Sequence, residues 1–237
     1  MANENTVVLK RFAALATLSD EKIDDAEAAF LIAAAEFPDL DIYGQVELLD
    51  SLAVGASRRI GDGQDTLFRL NTLAEYLFDE VGFKGNQQDY YNPDNSFLHL
   101  VLERRIGIPI SLSVLYLLIG QRLNVPVVGI GLPGHFVVGL QSEPLFIDCF
   151  NQGALLTQKD CAKFLQEYNI DFEASYLDPI PNHHIIARML RNLVAIYQKH
   201  DESKQVDRFH RLLSIVESID TTSSKGWTHD PNLSVHQ

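Results

Sequence analysis

The sequence predicts an α+β fold that is mainly helical and contains one small antiparallel sheet. Three observations lead to this prediction. Apolar residues recur at helical spacing through the first eighty residues, a central segment is apolar on nearly every side of a helix, and three short β-branched runs follow it. The 237 residues are 46% hydrophobic and 22% charged, which is ordinary for a protein with a sizeable core. One large domain or two small ones fit this length.

Charge and cysteine content exclude several function classes. The formal net charge of -13 repels phosphate backbones and anionic lipid surfaces, so we expect neither a nucleic-acid partner nor a membrane partner. Direct DNA binding is further disfavoured because no basic recognition helix is evident. The two cysteines, Cys149 and Cys161, are twelve residues apart, which is not a zinc-pair or redox-pair spacing. With no apolar leader at the start, the sequence favours a cytoplasmic protein with reduced thiols.

Three helices are predicted within residues 1–84, which we interpret as a helical N-terminal layer. Residues 24–36 carry helically spaced apolar side chains up to the Phe37-Pro38 step, where a helix cannot continue easily. Residues 42–60 form the second helix, which Gly61 ends, and residues 65–81 form the third, which Gly82 ends.

The middle of the chain, residues 85–176, is predicted to be the core that carries the function. Residues 85–95 are polar and suit a loop over the functional face, and helical spacing resumes at 96–105. Gly107 breaks that helix and Pro109 opens the next, because proline at the first helical position loses no needed hydrogen bond. The helix at 110–123 is apolar on nearly all sides, so we expect it to be buried.

Three strands are predicted after this helix, at 125–130, 135–140 and 145–150, and they indicate a small antiparallel sheet. Thr157 suits the N-cap of a further helix that extends to residue 168. Helices at 182–199 and 203–219 then form a hairpin, so residues 177–220 are predicted to be a C-terminal helical pair. Residues 221–237 are polar and aperiodic, and we expect a mobile tail.

A His and an Asp in this arrangement suggest a papain-type triad. His135 and Asp148 lie thirteen residues apart on neighbouring predicted strands, so their side chains can point the same way. In such a triad the N-terminus of a helix lowers the pKa of a thiol, the His holds its proton and the Asp fixes the His tautomer. The segment 107–110 stands where the helix of such a site would begin.

Six stretches resemble a known family. They are LIAAAEFPDL at 31–40, GFKGN at 82–86, YNPDNS at 91–96, VLERRIGIPISL at 101–112, LPGHF at 132–136 and IDCFNQG at 147–153. Together they look like the bacterial Sir B-type family of the transglutaminase-like superfamily, a module similar to one in an F-box substrate receptor of ubiquitin ligases. The resemblance covers residues 24 to 219. It implies a transglutaminase-like core and tetratricopeptide-like C-terminal helices.

The resemblance also implies that the nucleophile is missing. The segment LNVP at 123–126 is similar to the LGIP that follows the catalytic helix of active relatives, and counting back from it places Pro109 at the position of their Cys. Cys149 is expected to face away from the Asp on its strand, and Cys161 lies on a later helix. Ser111 is the nearest hydroxyl, but two helical residues rotate a side chain by roughly 200°.

The candidate site residues each have a structural alternative. His135 and Asp148 form a working or vestigial dyad, or His135 bonds a loop carbonyl and Asp148 caps the turn at 151–153. Asn95 supplies an oxyanion donor, or it ties the Pro93 turn together. The residues expected to line the cleft, which could instead be core aromatics and turn residues, are Tyr91, Pro109, Gly134 and Phe136.

Two functions remain open. The first is a non-catalytic protein-binding or regulatory module with a protein or peptide partner in the former active site. The alternative is a serine-type or water-activating amide hydrolase or peptidase that uses Ser111, His135 and Asp148. The position of the Ser111 hydroxyl relative to the His135 ring separates the serine version from the rest. We expect no cofactor and no metal, since the adjacent His183 and His184 diverge on a helix.

Overall fold

The computed structural model describes residues 2–141 and 143–220, and its class is α+β, mainly helical with a small antiparallel sheet, as predicted. The predicted tail at 221–237 lies outside the described residues. The helices are α1 (Ala2–Ala16), α2 (Asp25–Glu36), α3 (Ile42–Ile60), α4 (Thr66–Ala74), α5 (Leu98–Arg104), α6 (Pro109–Arg122), α7 (Gln158–Glu167), α8 (Asn182–Lys199) and α9 (Ser203–Asp220). The strands are β1 (Lys84–Gly85), β2 (Ile106–Gly107), β3 (Val127–Ile130), β4 (Val137–Leu140), β5 (Glu143–Asp148) and β6 (Ala154–Thr157).

Aspartate side chains begin three of the N-terminal helices. Asp24, Asp41 and Asp65 each accept a hydrogen bond from a backbone N–H in the first turn of α2, α3 and α4. These caps satisfy N–H groups that a helix leaves without a partner, which is why the helices begin where they do. The third predicted helix is correct in extent, but its second half, Glu75–Glu80, is π-helical.

The four-stranded sheet has the order β3-β4-β5-β6, with every neighbouring pair antiparallel. Several predicted strand boundaries were wrong, including the start of β3, which was predicted at 125 and lies at Val127, and the start of β5, which was predicted at 145 and lies at Glu143. The strand predicted at 135–140 begins at Val137, because His135 is held in a turn by its N–H bond to the carbonyl of Leu132. The strand predicted at 145–150 ends at Asp148, where the chain turns back to form β6, a strand that the sequence analysis missed.

Helix α6 lies at the centre of the fold. All of its residues from 109 to 120 are buried, as its apolar sequence predicted. One continuous cluster of buried apolar side chains extends from Phe12 in α1 to Val216 in α9, so the N-terminal helices, α6 and the C-terminal pair share a core. A smaller cluster, which includes Phe146 and Leu165, lies between the sheet and α7.

The C-terminal helices pack on each other and on the N-terminal layer, where α9 contacts α1 and α2. The domain boundaries proposed from the sequence stay a prediction. Within the residues that the structure describes, no helix combines the length and the hydropathy needed to cross a membrane.

Tyr116 provides a test of the central packing. Its fully buried hydroxyl donates a 2.6 Å hydrogen bond to the carbonyl of Leu70 in α4. Tyr116→Phe should lower the free energy of unfolding by about 1–2 kcal/mol, because the buried carbonyl loses a donor that water cannot replace. Urea unfolding followed by circular dichroism measures this change. Tyr43→Phe is the matched control, since that ring is 77% exposed and its change should stay within about 0.5 kcal/mol.

Candidate functional site

A cleft of about 320 Å³ opens where the N-terminus of α6 meets the sheet and α7. The loop before α5, the first residue of α6, the turn before β4, the turn after β5 and the end of α7 all contribute to it. Its lining residues are Gln87, Tyr90, Tyr91, Pro109, Gly134, His135, Phe150, Asn151, Phe164 and Tyr168. Three of the four residues predicted to line a cleft are therefore present, namely Tyr91, Pro109 and Gly134.

The structure brings His135 and Asp148 together beside this cleft. His135 Nε2 lies 2.9 Å from Asp148 Oδ2, and each side chain is only 7% exposed. The oxygen lies away from the direction of the ring N–H, so the pair is a close ionic contact rather than a well-aligned hydrogen bond. The aligned hydrogen bonds of Asp148 come from the backbone N–H groups of Phe150 and Asn151 and from the Asn151 side chain. Asp148 thus contacts His135 and also caps the turn after β5.

The Asp148 carboxylate is ionised in this setting. Burial alone would raise the pKa of Asp148, but the contact with His135 and the hydrogen bonds from Asn151 outweigh burial and lower the pKa below its usual value. An anion beside Nε2 favours the tautomer that carries its proton on Nε2, an assignment made from the surroundings. In that tautomer Nδ1 is the acceptor nitrogen. No hydrogen bond to Nδ1 is found within the described part of the chain, and His135 lines the cleft.

Pro109 is the first residue of α6, and it lines the same cleft as His135. This is the position at which a papain-type site holds its nucleophile, at the helix N-terminus and facing the imidazole. A proline ring has no proton to give to His135 and no atom that can attack a carbonyl. The side chain at this position cannot form a covalent intermediate.

Ser111 is not brought to His135. Its fully buried hydroxyl donates to the carbonyl of Asn95 at 2.6 Å and accepts from the N–H of Ile108 at 3.0 Å, and it does not line the cleft. Within the described residues its hydrogen bonds are all to backbone groups, so it caps the start of α6. Ser111 therefore cannot act as the nucleophile in this geometry, because its hydroxyl is not within hydrogen-bonding reach of His135. The rotation of two helical residues between Pro109 and Ser111 had already indicated that the two side chains point in different directions.

Asn95 is also turned away from the cleft. Its side-chain amide donates to the carbonyls of Asp89 and Tyr90, and its oxygen accepts from Asn86. Both amide hydrogens are used inside the loop, so no donor is left for an oxyanion. Asn95 holds the loop over the cleft, which is the structural alternative that the sequence left open.

Neither cysteine of the sequence can replace the missing thiol. Cys149 and Cys161 are both buried. Burial raises the pKa of the Cys149 thiol strongly and raises the pKa of Cys161 to about 11, so both remain protonated at neutral pH. Neither side chain lines the cleft.

Two aromatic residues of the cleft, Phe164 and Tyr168, were missed by the sequence analysis. Phe164 and Tyr168 lie on α7 and just after it, four residues apart and so on one helical face, a spacing that could have indicated a shared role. Phe136, which was predicted to line the cleft, is buried and lines a small adjoining cavity that shares Pro109, Gly134 and His135 with the cleft. The guanidinium of Arg188 lies 5.4 Å from its ring centroid.

Arg188 positions the turn that carries His135. Its guanidinium donates to the carbonyls of Leu132 and His135, at 3.1 and 2.7 Å. No pattern near Arg188 in the sequence shows this role, because its hydrogen-bonding partners lie more than fifty residues earlier in the chain. Arg188 is a positioning residue that fixes His135 against Asp148.

Arg188→Met should loosen this turn while keeping much of the apolar stem in place. The free energy of unfolding should fall by about 1–3 kcal/mol, because two buried carbonyls lose a charged donor. The sharper readout is amide hydrogen exchange, which should speed up at the His135 N–H. Arg191→Met is the control, since its exposed pair with Glu217 should contribute less than about 1 kcal/mol. Unchanged exchange at His135 in Arg188→Met would contradict the positioning role.

Within the described residues, no group of three or more His, Cys, Asp or Glu side chains is arranged to hold a metal ion. His183, one of the adjacent pair noted in the sequence, contacts Asp20 through Nδ1 and the carbonyl of Ala16 through Nε2, both at 2.9 Å. These contacts connect α8 to the N-terminal layer.

Comparison with known proteins gives matches that include the cleft. Residues 45–191 match the model of a family described as the transglutaminase-like superfamily. A UPF0162 protein of Xylella fastidiosa (strain Temecula1) is 33% identical over 211 residues, which are 85% of this chain and 75% of that protein. A UPF0162 protein of Pseudomonas aeruginosa is 31% identical over 189 residues, 77% of this chain and 68% of that protein. Human F-box only protein 21 is 34% identical over 154 residues, 61% of this chain but 23% of that protein. No solved structure gave a match.

Proposed function

The chain belongs to the transglutaminase-like superfamily, and we propose that it is a non-catalytic member, a protein-binding or regulatory module of the cytoplasm. In this proposal the former active-site cleft holds a peptide or protein partner. The observation that carries it is Pro109, which stands at the start of α6 and lines the cleft beside His135 where a nucleophile would be needed. The retained His135–Asp148 pair then has a binding and structural role.

The shape of the site supports binding. Most of the cleft lining is aromatic, and the remaining polar residues are few, which is typical of pockets that hold a ligand. The particular resemblance to the Sir B-type family, and the tetratricopeptide-like character of α8 and α9, stay predictions. They agree with a role in protein contacts, since repeat-like helices present surfaces for partners.

The alternative function, an amide hydrolase, would have to use a water molecule as its nucleophile, because Ser111 does not reach His135. His135 lines the cleft with its Nε2 held beside Asp148, which is the observation that keeps this candidate open, since Nδ1 could accept a proton from a bound water molecule. Incubation with glutamine-containing peptides, followed by measurement of released ammonia and of new peptide termini, tests it. We expect no release above that of buffer, whereas release that disappears in His135→Ala would establish the hydrolase.

The binding proposal is tested by photo-crosslinking capture from native extract with four forms of the full chain. They are the wild type, His135→Ala, Phe164→Ala and the surface control Tyr43→Ala. Partners of the cleft should be lost from both cleft variants and kept by the control, and their crosslinks should map to the lining residues. An identical partner set for all four forms would contradict the proposal.

A further inference from the structure

A second groove, of about 560 Å³, adjoins the cleft and shares Gln87, Phe150 and Asn151 with it. Most of its lining side chains are carboxamides, and we call it the carboxamide groove. Its carboxamide residues are Asn86, Gln87, Gln88, Asn151 and Gln152. The shared residues make the cleft and the groove one continuous surface, with a nearly apolar end and a polar end.

The apolar end is suited to an aromatic guest. The Phe164 ring lies 5.1 Å from the His135 ring and 5.0 Å from Tyr168, and Tyr90 lies 5.9 Å from Phe150, all measured between centroids. These pairs are tilted or edge-on, so ring faces and ring edges are both presented, and an aromatic side chain packs well against such an arrangement.

The charges at this end disfavour a cationic guest. Aromatic cages bind quaternary ammonium groups through ring faces. Here, however, the Lys199 ammonium already lies 3.4 Å from the centroid of the Tyr91 ring. None of the described residues that line the cleft carries a carboxylate. A neutral side chain therefore fits the cleft better than a methylated lysine.

His135 adds a requirement for a hydrogen-bond donor. Its Nε2 lies 2.9 Å from the ionised Asp148, so the tautomer that carries its proton on Nε2 has Nδ1 as the hydrogen-bond acceptor of a residue that lines the cleft. Among neutral aromatic side chains, the indole N–H of tryptophan and the phenol O–H of tyrosine can donate to this nitrogen, and phenylalanine cannot.

The carboxamide groove matches a peptide backbone. The side chains of Gln87, Gln88 and Gln152 make no hydrogen bond within the described part of the chain. Each carboxamide both donates and accepts, as does each peptide unit of an extended chain. Lys84 is the one charged residue among the described lining of this groove, so the lining does not select for a charged segment.

We propose that the cleft and the carboxamide groove together bind one uncharged, extended peptide segment that places a tryptophan or tyrosine side chain in the cleft. The aromatic donor bonds His135 Nδ1, and the backbone lies against the glutamine side chains. This inference rests on the proposed function, because it specifies the peptide that such a module would hold.

The test uses the full chain and pentapeptides of the form Gly-Ser-X-Ser-Gly, acetylated and amidated, in isothermal titration calorimetry. The residue X is tryptophan, tyrosine, phenylalanine, leucine or trimethyl-lysine. Tryptophan and tyrosine peptides should bind most tightly, with phenylalanine about three- to tenfold weaker, as the loss of one hydrogen bond predicts.

Variants separate the two parts of the surface. In His135→Phe the difference between tryptophan and phenylalanine peptides should vanish while aromatic binding persists. Phe164→Ala keeps both His135 and Asp148 and should weaken the binding of every aromatic peptide. It replaces His135→Phe as the test of the cleft if that variant fails to fold. Gln87→Ala and Gln152→Ala should weaken all peptides alike, and Tyr43→Ala should change none.

Three results would overturn the inference. They are equal binding of tryptophan and phenylalanine peptides by the wild type, tightest binding of trimethyl-lysine, and binding of a neutral oligosaccharide such as maltohexaose in place of every peptide. Failure of all the peptides would also overturn it. If partner capture still depends on Phe164 in that case, the binding function stands and only the assigned peptide chemistry is wrong. If the captured partners are the same for the wild type and the cleft variants, the proposed function itself is wrong.

Discussion

Pro109→Cys should create a thiol that reacts with iodoacetamide at pH 6–7 at least about tenfold faster than an ordinary exposed cysteine. The new side chain would begin α6, where the helix dipole favours a thiolate, and would line the cleft beside His135. Both effects lower the pKa of a thiol, and neither acts on the native cysteines, which are buried and protonated. The rate of alkylation against pH, read by mass spectrometry, gives the pKa of the new thiol directly.

Two further variants show whether the effect belongs to the site. Tyr43→Cys supplies the ordinary reference, because residue 43 is 77% exposed. Adding His135→Ala to Pro109→Cys should return the reactivity towards that reference, since the imidazole no longer stabilises the thiolate. If Pro109→Cys reacts no faster than Tyr43→Cys, then Pro109 does not occupy the position of a nucleophile, and the main support for lost catalysis is gone.

The parts of the fold that the sequence predicted are those set by local patterns. Helices α2 and α3 have Asp caps and helical spacing, and α6 has both a proline at its start and apolar side chains all round. Helix α1 was missed because its residues carry no comparable start or stop signal, and its place depends on packing against α2 and α9. Strand β6 was missed for a related reason. It is four residues long and largely exposed, and its pairing with β5 is a tertiary contact.

In the candidate site, too, the features set by local sequence were predicted and those set by tertiary contacts were not. The pair of His135 and Asp148 was predicted from motif resemblance and strand spacing, and the structure places the two side chains in contact. The sequence favoured the turn role of Asn95 but kept the oxyanion donor as an alternative, because an amide near a proline is compatible with both. The positioning role of Arg188 could not be predicted, because its guanidinium bonds backbone carbonyls that are distant in the chain and no local sequence pattern indicates such contacts.

Asp148→Ala should have the largest effect on stability among the site variants. The side chain is only 7% exposed, and its removal leaves two backbone N–H groups, the Asn151 amide and His135 without their partner. We expect a loss of about 3–5 kcal/mol in the free energy of unfolding at pH 7, because buried donors cannot regain hydrogen bonds to water. Urea unfolding followed by circular dichroism measures it. A loss below about 1 kcal/mol would show that the turn after β5 does not depend on this carboxylate.

The charge of Asp148, as distinct from its shape, has its own signature in the pH dependence of stability. The pKa of Asp148 is lower in the folded protein than its usual value of 3.8, so the folded state binds the proton less tightly than the unfolded state does. The stabilisation from this group is therefore complete above pH 3.8 and is lost as the pH falls through the lower, folded pKa. Asp148→Asn keeps an acceptor oxygen and removes the charge, so the difference in free energy of unfolding from the wild type, the stability gap, should be widest near neutral pH and should close in acid.

Asp62→Asn, at an exposed turn residue, is the control and should show a gap within about 0.5 kcal/mol at every pH. A gap for Asp148→Asn that stays constant from pH 7 to pH 3 would mean that packing, and not the ionised carboxylate beside His135, accounts for the loss.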